Sequence, residues 1–337
     1  MSDKFLIIDS RPYGLFSIFM HTIDNIKWAE DNGYIPIVRW GPGRIDVNKN
    51  RKGAKEATSR GNPIFVGDEP NFIDLEINNE LKSCLYSSDA IMNPWEQYFE
   101  PLNDYTIDNA LESEHEVSDI FQVGFHDLNV KTLEDKFLIF NLHSYTPLTT
   151  WLYFYHKDES SFKKHRRLVS YYIDKYVKIN PMIKLKIDKF VDQHYTDDMI
   201  GIHVRGTDKK TESVIGQRPF VTIDDYLQHI KDALRTRPNA TLFIASDNNE
   251  AIKQIFVNFK NNKKVVYNCT RMQNYTSPTP VHLSSFAGPK AGEEALIDCI
   301  LLSRCNHIIC TDSNLSAAAL YFNSEATCSF VNKKLGE

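Results

Sequence analysis

The sequence has no stretch of about 18 consecutive apolar residues, so it offers no segment that could cross a bilayer as a helix. It has no excess of positive charge. Its 39 basic and 44 acidic residues leave a net charge of −5 and a pI near 6.1, the wrong balance for a chain that binds nucleic acid through a basic face. None of its six cysteines stands in C-x2-C spacing, which argues against a structural zinc site. Six cysteines in 337 residues also fall short of disulfide density. Cys299, Cys305 and Cys310 sit in apolar runs, where cysteine behaves as a small core residue, and a reducing compartment fits this usage. There is no Gly-x-x-x-x-Gly-Lys-Ser/Thr, no Gly-x-Ser-x-Gly, no His-Glu-x-x-His, and no Gly-x-Gly-x-x-Gly after Ile8 or Val204. These gaps count against a P-loop NTPase, an α/β hydrolase and a zincin, and weigh against NAD(P) use. Met1–Lys4 followed by four apolar residues reads as neither a signal peptide nor an anchor, so a cytoplasmic protein is expected.

What is present belongs to a globular protein. Hydrophobic residues make up 42 % and charged residues 25 %, enough to bury a core and too apolar for a disordered chain. The length of 337 residues suggests two domains or one large one. Aromatics at 12 % suit deep packing or a sugar-stacking surface. The dense basic run Lys163-Lys164-His165-Arg166-Arg167 reads as the solvated face of a helix rather than a binding patch.

The pattern alternates strands and helices. Phe5–Ile8 is a buried-strand run, 15–32 carries Phe16, Phe19, Met20, Ile23 and Ile26 at helical spacing up to Gly33, and 35–40 is the next strand. Such a βαβ order predicts a parallel sheet. Residues 41–70 are polar and Gly-containing and read as a loop; 71–135 is irregular, and 136–141 is a strand candidate. A helical stretch spans 160–195 with a break at Asn180-Pro181. A second series follows: strands at 199–204, 241–245, 264–267 and 307–311, and helices at 222–235, 249–259, 292–304 and 313–322. The expectation is an α/β fold with an N-terminal Rossmann-like domain over 1–170, a helical connection over 171–194 and a C-terminal Rossmann-like domain over 195–330. Two such domains facing across a cleft make the GT-B architecture; one large doubly wound domain fits the same pattern.

Chemistry-bearing residues gather where apolar strands end. Gly201-Ile-His203-Val-Arg205-Gly206-Thr-Asp208-Lys209 places His, Arg, Asp and Lys at the carboxyl end of a strand, where open α/β sheets bind ligands. Arginine supplies a rigid fork for phosphate oxygens. Thr311-Asp-Ser313-Asn314-Leu-Ser316 opens a helix and can form an anion site from hydroxyls and backbone N–H groups; it equally fits plain capping by Ser313 or Asn314. Asp247 can take a sugar hydroxyl or cap the helix after it. Asp298 lies in a mostly apolar helix and needs a partner. It can accept the paired N–H donors of guanine, or form a salt bridge to Arg304 or Lys290. No Asp-x-Asp follows a strand in the manner that holds a metal, so the charge of a diphosphate would fall to Arg205, Lys209 and backbone donors.

These residues resemble the fucosyltransferase superfamily, which includes the nodulation fucosyltransferases, the core α1,6-fucosyltransferases and the protein O-fucosyltransferases. Gly201–Lys209 is similar to its His-x-Arg-Arg/Gly-x-Asp motif. Ala295–Ser316 is similar to its later motif with an Asp, a Cys-Thr strand end and a Ser pair. Ile244-Ala-Ser-Asp247 resembles the strand between them, and Tyr13-Gly14 resembles its N-terminal glycine loop. Trp95-Glu-Gln-Tyr-Phe-Glu-Pro101 is similar, less specifically, to related bacterial glycosyltransferases. The resemblance is specific over 200–322 and thin over 5–40; residues 41–135 would hold much of the acceptor site, on the N-terminal domain.

The resemblance implies a GT-B fold, GDP-fucose as donor, a glycan hydroxyl as acceptor, inversion at the anomeric carbon, and no metal or other cofactor. Arg205 would grip the β-phosphate. His203 and Asp298 would contact guanine, and Asp247 the ribose or the sugar. Thr311, Ser313 and Asn314 would hold phosphates, Asn314 standing where the family often has a second Ser. Tyr13 and Gly14 would let backbone approach the diphosphate. Glu212 is the first candidate for the general base and Asp208 the second, with Lys209 beside them. Gly206 replaces the second Arg of the α1,6 branch, so the linkage is not inherited. The absence of an anchor suggests a soluble enzyme of bacterial or viral type. A transferase for GDP-rhamnose or GDP-mannose and a non-catalytic GDP-sugar-binding protein are the alternatives.

Overall fold

The structure is a computed structural model. It describes residues 3–9, 14–40, 45–46, 72–73, 76–77, 80–81, 86, 93–118, 159–205, 221–261, 263–268 and 288–331. The chain divides into two compact units, Met1–Thr149 with Tyr176–Lys178, and Thr150–Lys175 with Ile179–Glu337. Both are α/β units built on parallel sheets.

In the first unit, β1 (Lys4–Asp9), α1 (Leu15–Asn32) and β2 (Ile35–Arg39) form the βαβ arrangement that the apolar spacing predicts. Leu6, Ile7 and Ile8 are fully buried, as expected of a strand covered on both faces. Gly33, at φ 72° and ψ 29°, ends α1 in the left-handed conformation that favours glycine. The Tyr34 N–H then returns to the Ala29 carbonyl at 2.8 Å. A further strand, β3 (His115–Ser118), pairs with the other side of β1 and gives the order β2-β1-β3. Two-residue ladders join 45–46 to 72–73 and 76–77 to 80–81. The strand expected at 136–141 lies outside the described residues.

Two short helices, α2 (Pro94–Tyr98) and α3 (Ile107–Glu112), complete what is described of this unit. Asn93 fastens α2 to β2. Its Oδ1 accepts from Trp40 N at 2.9 Å and its Nδ2 donates to the Val38 carbonyl at 2.8 Å. Trp95, fully buried, packs edge-on against Trp40 at 5.0 Å and against Phe99 at 4.3 Å. The Trp95–Pro101 segment therefore carries core side chains in this structure.

The second unit begins with α4 (Glu159–Tyr176) and α5 (Pro181–His194). The helical stretch 171–194, expected as a connection, thus belongs to this unit apart from Tyr176–Lys178. Along α4 the basic run is not uniformly solvated. Arg166 is 1 % exposed and donates to the Ala326 carbonyl at 2.9 Å. Lys163 and Arg167 both pair with Glu325. The run is a seam onto the 325–326 turn, which corrects the reading of a solvated face.

Five parallel strands follow: β4 (Met199–Val204), β5 (Thr241–Ser246), β6 (Val265–Tyr267), β7 (His307–Cys310) and β8 (Thr327–Phe330). Their order is β6-β5-β4-β7-β8. The connecting helices are α6 (Ile223–Thr236), α7 (Asn249–Phe259), α8 (Pro289–Ser303) and α9 (Asn314–Phe322). Ile200, Ile202, Val204, Leu242 and Ile244 share a core with Tyr226 and Ile230 of α6 and Ile252 and Ile255 of α7. Gly201 and His203 alternate to the opposite face, as strand pleating requires. A Cβ on Gly201 would stand 2.9 Å from Leu302 Cδ2 and 3.0 Å from Cys305 Sγ, so glycine there lets α8 lie close against β4. α8 starts at Pro289 rather than at Gly292; proline's fixed φ suits a first helical turn.

Candidate active site

From β4 the chain builds outward to β5 and β6, then crosses back and builds β7 and β8 on the other side. The reversal point is between β4 and β7. In sheets of this kind a crevice opens there beyond the carboxyl ends. The register places Cys310, the last residue of β7, beside His203. Val204 pairs with Ser246 on the β5 side. Beyond these pairs the strands release Arg205, Asp247, Asn268 and Thr311–Ser313 at one edge of the sheet.

On the β7 side, Ser313 caps α9 by accepting the Ser316 N–H at 3.1 Å. Its hydroxyl donates to Ser316 Oγ at 3.0 Å, and Ser316 Oγ lies 2.6 Å from His203 Nδ1. Ser313 Oγ is itself 3.4 Å from the same nitrogen. His203 is 6 % exposed and Ser316 fully buried. The imidazole is therefore held in place by two hydroxyls of the next strand's helix. The start of that helix concentrates N–H donors and positive dipole, which suits an anion.

On the β5 side, Ser246 Oγ donates to the Val204 carbonyl at 2.6 Å and accepts the Asn248 N–H at 3.0 Å. The cap of α7 is Asn248, which accepts from Glu250 N at 2.9 Å and Ala251 N at 3.3 Å. Asp247 is thus not the cap of α7.

Asp298, on α8, accepts from Asn268 Nδ2 at 3.4 Å. Withdrawal from water is the main reason its carboxyl is pushed up to about 8, and the negative charges of Glu294 and Asp247 add to it; the Asn268 amide opposes the rise. The salt-bridge alternative is not the one the structure adopts: Lys290 pairs with Glu293 at 3.1 Å and Arg304 with Asp188 at 3.5 Å. At neutral pH such a carboxyl is mostly protonated, and donors arriving from a ligand would favour its anion.

The structure thus places His203 and Arg205 at the end of β4, Thr311, Ser313 and Asn314 beside them after β7, and Asp247 and Asp298 near one another. Gly14 caps α1 in the first unit without a side chain, its carbonyl accepting from Ser17 N at 2.8 Å. Tyr13, Asp208, Lys209 and Glu212 lie outside the described residues. Sequence reasoning missed Tyr226, Asn268 and Glu294, and gave Ser316 no role. Tyr226 carries an apolar helical periodicity that marks it only as core. Asn268 follows a three-residue strand with no motif around it. Among the described residues no group of three or more His, Cys, Asp and Glu side chains is arranged to hold a metal ion, and no helix is long and apolar enough to cross a membrane.

No protein-family model and no curated protein matches the sequence. Solved structures do resemble the fold. The NodZ alpha-1,6-fucosyltransferase soaked with GDP-fucose matches with TM-score 0.47 and 14 % identity, over 95 % of this chain and 93 % of that one. The fucosyltransferase NodZ from Bradyrhizobium matches with TM-score 0.45 and 15 % identity, over 95 % and 92 %. POFUT1 in complex with GDP-fucose matches with TM-score 0.49 and 9 % identity, over 99 % and 100 %. At such distances a likeness of chain path says nothing about which substrate this chain takes.

Proposed function

We propose that the protein is an inverting glycosyltransferase that moves fucose from GDP-fucose to a glycan hydroxyl without a metal. The observation that carries this reading is the pairing of Arg205 with the Ser313-capped start of α9 on the two sides of the β4/β7 reversal point. A diphosphate placed there would meet a guanidinium and a helix N-terminus at once. The resemblance of 201–209 and 295–316 to fucosyltransferase motifs supplies the sugar and the base.

The chemistry is a single displacement. The acceptor oxygen forms a bond to the anomeric carbon as the bond from that carbon to the β-phosphate oxygen breaks, and GDP leaves with the electron pair. The acceptor's proton passes to a carboxylate, for which Glu212 is the first candidate and Asp208 the second. Arg205 and the α9 amides stabilise the charge that develops on the leaving diphosphate. Lys209, on the same segment as Asp208, adds positive charge. Asp298 accepts from the guanine edge, its anion restored by the donors it meets, and Asp247 takes a hydroxyl of ribose or sugar. His203, with Nδ1 engaged by Ser313 and Ser316, contacts the guanine.

The test is GDP release from a panel of GDP-sugars, with and without EDTA. Release from GDP-fucose, unaffected by EDTA, supports the reading. Release only from GDP-rhamnose or GDP-mannose moves the donor and keeps the displacement. GDP binding without turnover on an acceptor panel favours a non-catalytic binder, and absence of GDP binding overturns the assignment.

A further inference from the structure

In a parallel sheet, alternate carbonyls and N–H groups of one strand serve opposite neighbours. Beyond Val204 the β5 side of β4 is satisfied by Ser246 Oγ, which takes the Val204 carbonyl at 2.6 Å. The other side faces β7, whose pairing with β4 ends at Cys310 opposite His203. One more strand residue on β7 would have taken the His203 carbonyl and the Arg205 N–H. The chain turns away instead, and the Tyr226 hydroxyl of α6 stands in its place. It donates to the His203 carbonyl at 3.1 Å and lies 3.4 Å from Thr311 Oγ1. It also accepts from the Arg205 backbone N–H. With Thr311 donating, one hydroxyl uses its single proton and both lone pairs. Tyr226 is 2 % exposed and Thr311 fully buried, so the two hydroxyls meet out of water's reach.

We infer that Tyr226 is a positioning residue: its hydroxyl caps the open end of the β4/β7 ladder and fixes the Arg205 backbone relative to Thr311 across the reversal point. This rests on the reading of Arg205 as the diphosphate-contacting residue. The hydroxyl touches no reacting atom. It keeps the two sides of the crevice at one separation, so that the guanidinium and the start of α9 address the same group. A misplacement of about 1 Å in such a clamp costs on the order of a hundredfold in rate.

Tyr226→Phe removes the hydroxyl and keeps the ring in the α6 core. Three measurements decide the matter. Amide hydrogen exchange at Arg205, without ligand, is slow in the wild type and at least about tenfold faster in the variant, because the donor has lost its acceptor. The kcat for sugar transfer falls at least about tenfold while the donor KM moves much less, as expected for a group that acts on the transition state through Arg205. Added to Arg205→Ala, Tyr226→Phe causes no further loss in kcat, since the two act as one unit. Unchanged exchange at Arg205 overturns the capping role. Faster exchange with unchanged kcat overturns the positioning role, and so do losses that multiply in the double variant. A wild type that binds no GDP overturns the proposed function instead; the exchange measurement still decides whether Tyr226 holds the strand end. If Tyr226→Phe does not fold, Thr311→Val, which removes one of the three partners, is measured in the same way.

Discussion

The two edges of the second sheet are both lined by polar residues, and they are built on different principles. At the amino edge the polar groups close on one another. Asp198 pairs with Arg237 at 2.6 Å, and Asn306 Oδ1 accepts the Met199 N–H at 2.8 Å. His307 has Nδ1 2.8 Å from Thr327 Oγ1 and Nε2 3.1 Å from Ser329 Oγ. At the carboxyl edge, hydroxyls satisfy the backbone while side chains of like charge are set together: Asp247 and Glu294 both raise the carboxyl of Asp298. Complementary pairing at one edge stabilises the fold. Like charges at the other cost stability, and such sites favour a ligand that brings donors or positive charge.

The largest expected break in this comparison comes at the carboxyl edge. Arg205→Ala should lower sugar transfer at least about a hundredfold, the loss typical of one transition-state donor, and leave the unfolding midpoint near that of the wild type. GDP release at saturating donor measures it, and wild-type turnover would sink the placement of the diphosphate. Next is Gly201→Ala, which puts a methyl 2.9 Å from Leu302 Cδ2. Overpacking of this kind costs about 1–3 kcal/mol, read from urea unfolding.

The pH dependence should run in opposite directions at the two edges. Asp298 is pushed up to about 8 from 3.8, so its contribution to stability is complete below about 3.8 and is lost as pH rises through about 8. His307 is pushed down to about 4 from 6.5, first by burial and then by the positive charges of Arg237 and His229, with Asp198 opposing. Its contribution is present above 6.5 and is lost as pH falls towards 4. Asp298→Asn should flatten the alkaline limb of the stability profile and His307→Gln the acid limb. Thermal unfolding from pH 4 to 9 tests both, and a shared limb would dissolve the contrast. The smallest effect is expected at a seam away from both edges. Arg167 and Glu325, 60 % and 58 % exposed, form a pair that solvent screens, so Arg167→Ala should barely move the midpoint.

Much of this layout was legible in the sequence because the strands of a covered parallel sheet are continuous apolar runs. β1, β4, β5 and β7 declare themselves that way, and Arg205, Asp247, Thr311, Ser313 and Asn314 are read as site residues because they follow such runs. β3 and β8 were not legible. His115–Ser118 and Thr327–Phe330 are short, polar edge strands whose pairing partners, not their composition, make them strands. Arg166 was misread for a related reason: local charge says nothing about a turn 160 residues away that accepts its hydrogen bond.

The sequence by itself determined the α/β class, the βαβ alternation and which polar residues stand at strand ends, since these follow from spacing along one chain. Only the tertiary structure decided the strand order, and with it the reversal point between β4 and β7. It alone brought Ser316 to His203, Asn268 to Asp298 and Tyr226 to Arg205. Those contacts join residues from 21 to 113 positions apart, and each depends on which strand lies beside which. That order is set by how helices cover both faces of the sheet, a property of the packed chain and not of any segment within it.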